Sequence, residues 1–272
     1  MVRMAAASAA LARWFHSVVA PPRYKAPARP LRLSAADGTR LHAIVLPGPR
    51  DPRRVIVLSH GFTNSSRTPE VHAFAARLAR SATVVVVDLR GHGASHGRST
   101  LGHDEPLDVA AALDAARALA PGRAVVAIGI SLGGTSSLVA AGRYGGVAAV
   151  VALCAPAWRD RSRPGADRVE RWCASTSGRV LVRALSRTRV APRTPPLDDI
   201  ASSVAAIAPA PVIIVHDPAD EFFGPEHATA LLDWAREPKE LWWAPGAGHG
   251  RRMLTNELAD RIVARLDALS DG

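Results

Sequence analysis

Cysteine is scarce: Cys154 and Cys173 are the two in 272 residues, too few for a disulfide framework. That excludes a small cross-linked secreted fold and fits a reducing compartment. Cys154, at the end of the apolar run VAAVVALCAP, reads as an ordinary buried thiol. Lysine is almost missing, with Arg supplying all but two of 34 basic residues. Aromatic residues make up 5% of the chain. Neither zinc-finger spacing nor a stacked aromatic platform accompanies a net charge of +10, so nucleic acid is not expected as a partner. No uncharged apolar run reaches the roughly 18 residues a transmembrane helix needs, and no repeat of solenoid period is visible.

What is present is a hydrophobic content of 48%, ample for one large α/β domain. The positive charge is local. Residues 1–32 carry six basic residues and no acid, and residues 157–210 carry ten Arg against five acids. The first twenty residues, small-residue rich and interrupted by Arg13, read as a loose or docking helix more than as a secretory signal, so a cytoplasmic location is expected.

In order, a basic extension (1–30) leads into LRLSAADGTRLHAIVLPG, two strands around the turn signal Asp37-Gly38. RVIVLSHG and TVVVVD are short apolar runs of the kind buried on both faces of a parallel sheet. Helical spacing separates them (Val71, Phe74, Leu78), and a second helix closes at Pro121-Gly122. Alternating strands and helices predict a doubly covered parallel sheet with right-handed crossovers. The alternation stops at Ala157 and resumes near Pro211, leaving an Arg-rich insertion on the carboxyl side of a strand, where a cap over a site would hang. A last helix is expected with Leu254, Leu258, Ile262 and Leu266 in register.

The segment AVVAIGISLGG carries the first chemical signal. Gly129-Ile130-Ser131-Leu132-Gly133 joins a strand to a small-residue helix, the setting in which G-x-S-x-G exposes a nucleophilic hydroxyl. Gly93-Ala94-Ser95-His96-Gly97 has the same letters but no helix directly behind it, so Ser95 is not the candidate. A Ser hydroxyl needs a base. His72 and His227 fall on helical patterns and read as solvated, while His92, His96 and His103 are not aligned for a metal. His249 differs in sitting just past the last strand, in GAGHG, where glycines let a loop carry the ring back over the strand ends. An orienting acid is expected from a strand end between nucleophile and base, and Asp217 and Asp220 both qualify. The order Ser, acid, His then follows.

SHGF (59–62), DLRGHGAS (88–95), GISLGG (129–134), HDPADEFF (216–223) and GAGHG (246–250) together resemble the α/β-hydrolase family, within it the serine aminopeptidase-like or monoacylglycerol-lipase-like capped hydrolases. The resemblance implies an eight-stranded, mostly parallel sheet (31–156 and 211–272) with residues 157–210 as a helical cap. It implies a triad of Ser131, Asp220 and His249 and an oxyanion hole from the N–H groups of Phe62 and Leu132. His60, Gly91, His92 and Gly93 become structural. Where the family usually has His-Gly-x-x-Asp, this chain has His216-Asp217-Pro218-Ala219-Asp220; Asp217 stands in for a turn glycine, with a mild effect expected for Asp217→Gly, and remains a competitor for the acid's role. The expected activity is hydrolysis of a carboxylic ester or related acyl compound, without cofactor or metal, on a small-molecule substrate. Contact with a membrane surface is allowed by the basic charge. A ligand-binding scaffold and a cofactor-free perhydrolase are the rival readings. In the insertion, Arg179, Arg183 and Arg187 form a row read as a solvated face; the rival reading has Val180, Leu181, Ala184 and Leu185 roofing an acyl pocket.

Overall fold

The computed structural model describes residues 28–159, 163–197 and 199–270. The helix and most of the basic extension expected before residue 28 lie outside them. Strands β1 (Arg29–Ser34) and β2 (Arg40–Leu46) form the expected hairpin, turned at Gly38 with φ 81°. The chain continues through β3 (Arg54–Ser59), α1 (Pro69–Leu78), β4 (Thr83–Asp88), α2 (Glu105–Leu119), β5 (Ala124–Ile130), α3 (Leu132–Tyr144) and β6 (Ala149–Leu153). After it come α4 (Pro164–Ala174), α5 (Thr176–Ser186), α6 (Ile200–Ala205), β7 (Val212–His216), α7 (Pro225–Trp234), β8 (Lys239–Trp243), a 3-10 turn (Gly250–Met253) and α8 (Asn256–Ser270). Leu254 precedes α8, so the last helix keeps Leu258, Ile262 and Leu266 of the expected register.

The eight strands run in the order β1-β2-β4-β3-β5-β6-β7-β8, with β1–β2 and β2–β4 antiparallel and all other pairs parallel. Side chains alternate across a strand, and here each set has its own core. Val55 and Val57 of β3, Val85 and Val87 of β4, and Val125 and Ala127 of β5 face a cluster that includes Val109, Leu113, Leu138, Val204 and Leu231. Ile56, Leu58, Val84, Val86, Val126 and Ile128 face Phe74, Leu78, Ile262 and Leu266 on the other side. Burial on both faces explains the uninterrupted Val/Ile runs. Among the described residues no helix is long and apolar enough to cross a membrane.

The sheet reverses its winding at β3, which β4 flanks on one side and β5 on the other. In open α/β sheets the crevice for ligands lies at such a switch point, beyond the carboxyl ends of the strands. The loop after β3 and the turn after β5 meet there: a Cβ built on Gly61 would stand 3.4 Å from the Cβ of Ser131.

Candidate active site

The turn from β5 into α3 is sharp enough to force Ser131 to φ 51° and ψ −116°, outside the regions an L side chain prefers. Such a conformation costs about 1–3 kcal/mol and persists only where its surroundings over-determine it. Here the Ser131 N–H donates to Leu153 O at 2.8 Å, and Ser59 Oγ, one strand over, donates to Gly133 O at 3.0 Å. Glycine is obligatory around the bend. A Cβ on Gly129 would lie 2.2 Å from Gly133 O, and one on Gly133 would lie 2.4 Å from Ser59 O.

Three strand ends converge on the Ser131 hydroxyl. His249, in the loop after β8, places Nε2 2.9 Å from Ser131 Oγ and Nδ1 2.7 Å from Asp220 Oδ2. Asp220, in the loop after β7, is fully buried, and its other oxygen accepts the N–H groups of Phe222 (2.7 Å) and Phe223 (3.2 Å). Burial pushes the Asp220 carboxyl up, but the bond and charge of His249 and the two amides outweigh it and hold the carboxyl below its usual range. An ionised Asp220 therefore accepts a hydrogen bond from His249 Nδ1–H, keeping that proton on the ring, and leaves Nε2 as the acceptor facing Ser131. On the ring itself burial disfavours charge, while the Cys154 sulfur and the Asp220 carboxylate favour it, and the balance raises the histidine above its ordinary value. Phe222 and Phe223 flank the imidazole at 4.7 and 5.4 Å.

The Asp217 carboxylate is engaged by backbone amides and not by the His249 ring nitrogens. Its Oδ1 accepts the Ala219 N–H at 2.9 Å and its Oδ2 accepts the Gly248 N–H at 2.6 Å, so it ties the acid's loop to the histidine's loop. Ser95, the other G-x-S-x-G serine, is buried with its hydroxyl engaged on both sides: it donates to Asp88 O at 2.5 Å and accepts from His42 N at 2.8 Å.

The loop carrying Phe62 is held from beneath. His60 is fully buried, accepts the Leu89 N–H on Nε2 at 3.1 Å, and thus donates from Nδ1 to Gly61 O at 2.8 Å. With both nitrogens on backbone, and burial lowering its basicity, His60 is a strut rather than a base. His92 packs edge-on against the rings of His60 and Phe62. Gly93 is required because a Cβ there would fall 2.2 Å from Asp88 Oδ2, the carboxylate that also accepts Ala94 N–H. Leu132 is the first residue of α3, so its N–H has no partner within the helix and points toward the crevice end.

Two histidines expected to be solvated are buried. His72 is 7% exposed on the inner side of α1, and His227 is fully buried on α7, where Nδ1 accepts the Ala157 N–H at 3.0 Å. His72 shares the buried side of α1 with Val71 and Ala75, and His227 packs against the rings of Trp158 and Phe223, placements that periodicity alone left open. In the Arg-rich insertion, Arg183 and Arg187 are exposed, but Arg179 folds back on the end of α4, donating to Cys173 O and Ala174 O. Val180 and Leu181 are 63% and 43% exposed, so this face of α5 points outward and does not roof the serine.

His92, His96 and His103 are not gathered: His96 is exposed, and His92 and His103 bond to Arg90 O and Pro196 O. Among the described residues, the grouping that could hold a metal is Cys154, Asp220 and His249. The closeness of Cys154 to the histidine was not read from the sequence; its place immediately after an apolar strand was the available signal.

A family model described as "Serine aminopeptidase, S33" matches residues 50–196. Comparison with curated protein sequences gives no match. Among solved structures the chain is similar to an esterase of Pyrococcus furiosus, Pf2001, with TM-score 0.72 and 18% identity over 92% of this chain and 97% of that one. Est1E of Butyrivibrio proteoclasticus, solved with ferulic acid, gives TM-score 0.63 and 21% identity over 87% and 99%. The esterase domain of a Rhodothermus marinus protein gives 0.60 and 23% over 89% and 97%.

Proposed function

From the premise that this chain belongs to the serine aminopeptidase (S33) family of α/β-hydrolases, we propose that it hydrolyses carboxylic esters of modest size through an acyl-enzyme. The observation that carries the reading is the single imidazole spanning Ser131 Oγ at 2.9 Å and Asp220 Oδ2 at 2.7 Å. In this reading Ser131 Oγ attacks the acyl carbon while His249 Nε2 takes its proton, and Asp220 keeps the ring in the tautomer with Nδ1–H. The oxygen of the tetrahedral intermediate receives the N–H groups of Leu132 and Phe62; losing one such donor typically costs about 3 to 4 kcal/mol. The imidazolium protonates the leaving alcohol, and water, deprotonated by the same ring, releases the acid. The esterases among the structural neighbours favour ester over amide.

Residues 157–199 act as the cap. The expected insertion runs on to 210, and its last part, with Ile200, Val204 and Ile207, packs into the main core and carries the rest. The cap is anchored at the site: Arg163 Nη1 donates to Asp220 O, and Arg163 N–H to Phe222 O at 2.9 Å. Beneath it lies a cavity of about 650 Å³ lined by Trp158, Leu197, Ile200 and Trp234, large enough for a drug-sized molecule. Leu197 of its wall and Leu132 both face Gly102, and we assign the cavity to part of the substrate, its apolar wall being interrupted by Arg159, Glu170 and Asp199.

A chain-length series of chromogenic acyl esters tests the reading. The wild type should turn over at least part of the series, and Ser131→Ala should lose the activity by about 10⁶-fold, the loss typical of removing the nucleophile of such a triad. Absence of turnover in both would leave a ligand-binding scaffold.

A further inference from the structure

Cys154 ends β6 with φ 42°, a conformation uncommon for a residue with a Cβ, and its fully buried sulfur accepts the Gly250 N–H at 3.3 Å. Nothing in the acyl-transfer chemistry requires a thiol at this place. Yet the Cys154 sulfur, one carboxylate oxygen of Asp220 and one ring nitrogen of His249 all lie within 4.8 Å of one another.

We propose that these three side chains form an inhibitory site for a thiophilic divalent cation of the zinc class. Thiolate, imidazole and carboxylate are zinc's preferred donors, and three protein ligands leave a fourth position for water. Zinc holds sulfur at about 2.3 Å and nitrogen or oxygen at about 2.0–2.2 Å, so donors sharing a tetrahedral ion stand roughly 3.3–3.6 Å apart. The Asp220–His249 pair, now at 2.7 Å, must therefore open by roughly half an ångström, with the Cys154 sulfur brought to about 3.5 Å from both. The means is local: His249 lies between Gly248 and Gly250, both at positive φ (67° and 63°), on a loop that can shift while Cys154 stays on its strand end. Asp220 is ready as a ligand, because the Phe222 and Phe223 amides fix Oδ1 and leave Oδ2 facing the ring.

Binding exchanges the thiol proton, released to solvent, for a sulfur–metal bond; no electron changes hands. The cation takes the place of the Asp220–His249 hydrogen bond and removes the ring from service as a base. Inhibition thus rests on the hydrolase reading, whereas metal binding does not. Magnesium, which wants an octahedron of oxygens, should leave the enzyme alone.

The test uses the full chain, stripped with a chelator, with Zn²⁺ titrated against ester turnover and Co²⁺ against the absorption spectrum. Each protein is read against its own metal-free rate. Wild type should be inhibited by Zn²⁺, recover with chelator and ignore Mg²⁺. Cys154→Ser should need at least roughly tenfold more Zn²⁺, since losing a direct ligand costs no less than losing an outer partner. Co²⁺ should produce a thiolate-to-metal charge-transfer band in wild type and in Ser131→Ala, and none in Cys154→Ser. Equal Zn²⁺ sensitivity of wild type and Cys154→Ser, or no cobalt band in wild type, overturns the proposal. A cobalt band in a protein whose turnover Zn²⁺ leaves unchanged would uphold the site and count against His249 as the base.

Discussion

Asp217 shows how much a single side chain can do at a distance from the chemistry. A mild effect of Asp217→Gly would follow if the residue merely replaced a turn glycine. Its carboxylate instead accepts the Gly248 N–H next to the proposed base. Hydrogen bonds to a charged group are worth about 1.5–3 kcal/mol, so if the loop's position governs turnover, Asp217→Gly should lower kcat by about 10- to 100-fold with KM little changed. Asp217→Asn, which keeps one acceptor, should fall between. Asp220→Asn should be far worse, near a 10⁴-fold loss in kcat. Steady-state kinetics on one ester rank the three, and a wild-type rate in Asp217→Gly would free the loop from this tie. The pH profile belongs to the same scale. His249 must be neutral to accept a proton, and the Cys154 sulfur and Asp220 raise it against burial. The sign follows: kcat/KM rises with pH, with its acid limb displaced above the ordinary histidine value of about 6.5. A limb below that value would contradict the assigned surroundings of the ring.

Among the elements, α3 and α6 make the tightest contact. A Cβ on Gly142 would meet Ser203 O at 1.8 Å, backbone against backbone, where no side chain can turn aside. Gly142→Ala gains helix propensity but must push α6 away, and overpacking of this kind typically costs about 1–3 kcal/mol. Denaturant melts should show a lower midpoint; an unchanged or higher one would mean the helices part without cost. The cap behaves differently. Gly91 lies against the cap's returning segment, where a Cβ would meet Arg189 O at 2.3 Å, and Arg189 N–H donates to Gly91 O at 2.8 Å. The spacing told that Arg179 and Arg183 share one side of α5, while Arg187, expected in the same row, lies just past the helix at φ 57°, but it did not tell which side turns inward. That choice depends on the small cluster of Cys173, Val182 and Val190, assembled from three separate segments.

Across the whole molecule, legibility followed range along the chain. Alternating apolar runs and helices were enough for a parallel sheet, because each strand buried on both faces must read as continuous Val and Ile. The glycines of GISLGG and GAGHG were readable from the turns they make, although Gly133 also answers the backbone of Ser59 on a neighbouring strand. Partners far apart in sequence were not: Cys154 beside His249, Asp217 on Gly248, and His227 under Ala157 depend on how β6, β7, β8 and the cap close over one another. The central claim, that these strand ends jointly activate one hydroxyl, is most directly tested by treating the protein with a fluorophosphonate and mapping the adduct by peptide mass spectrometry. The predicted result is a single phosphonylated residue, Ser131, lost in Ser131→Ala and strongly slowed in His249→Ala. An adduct on Ser95 or elsewhere, or no adduct on a folded protein, would contradict it.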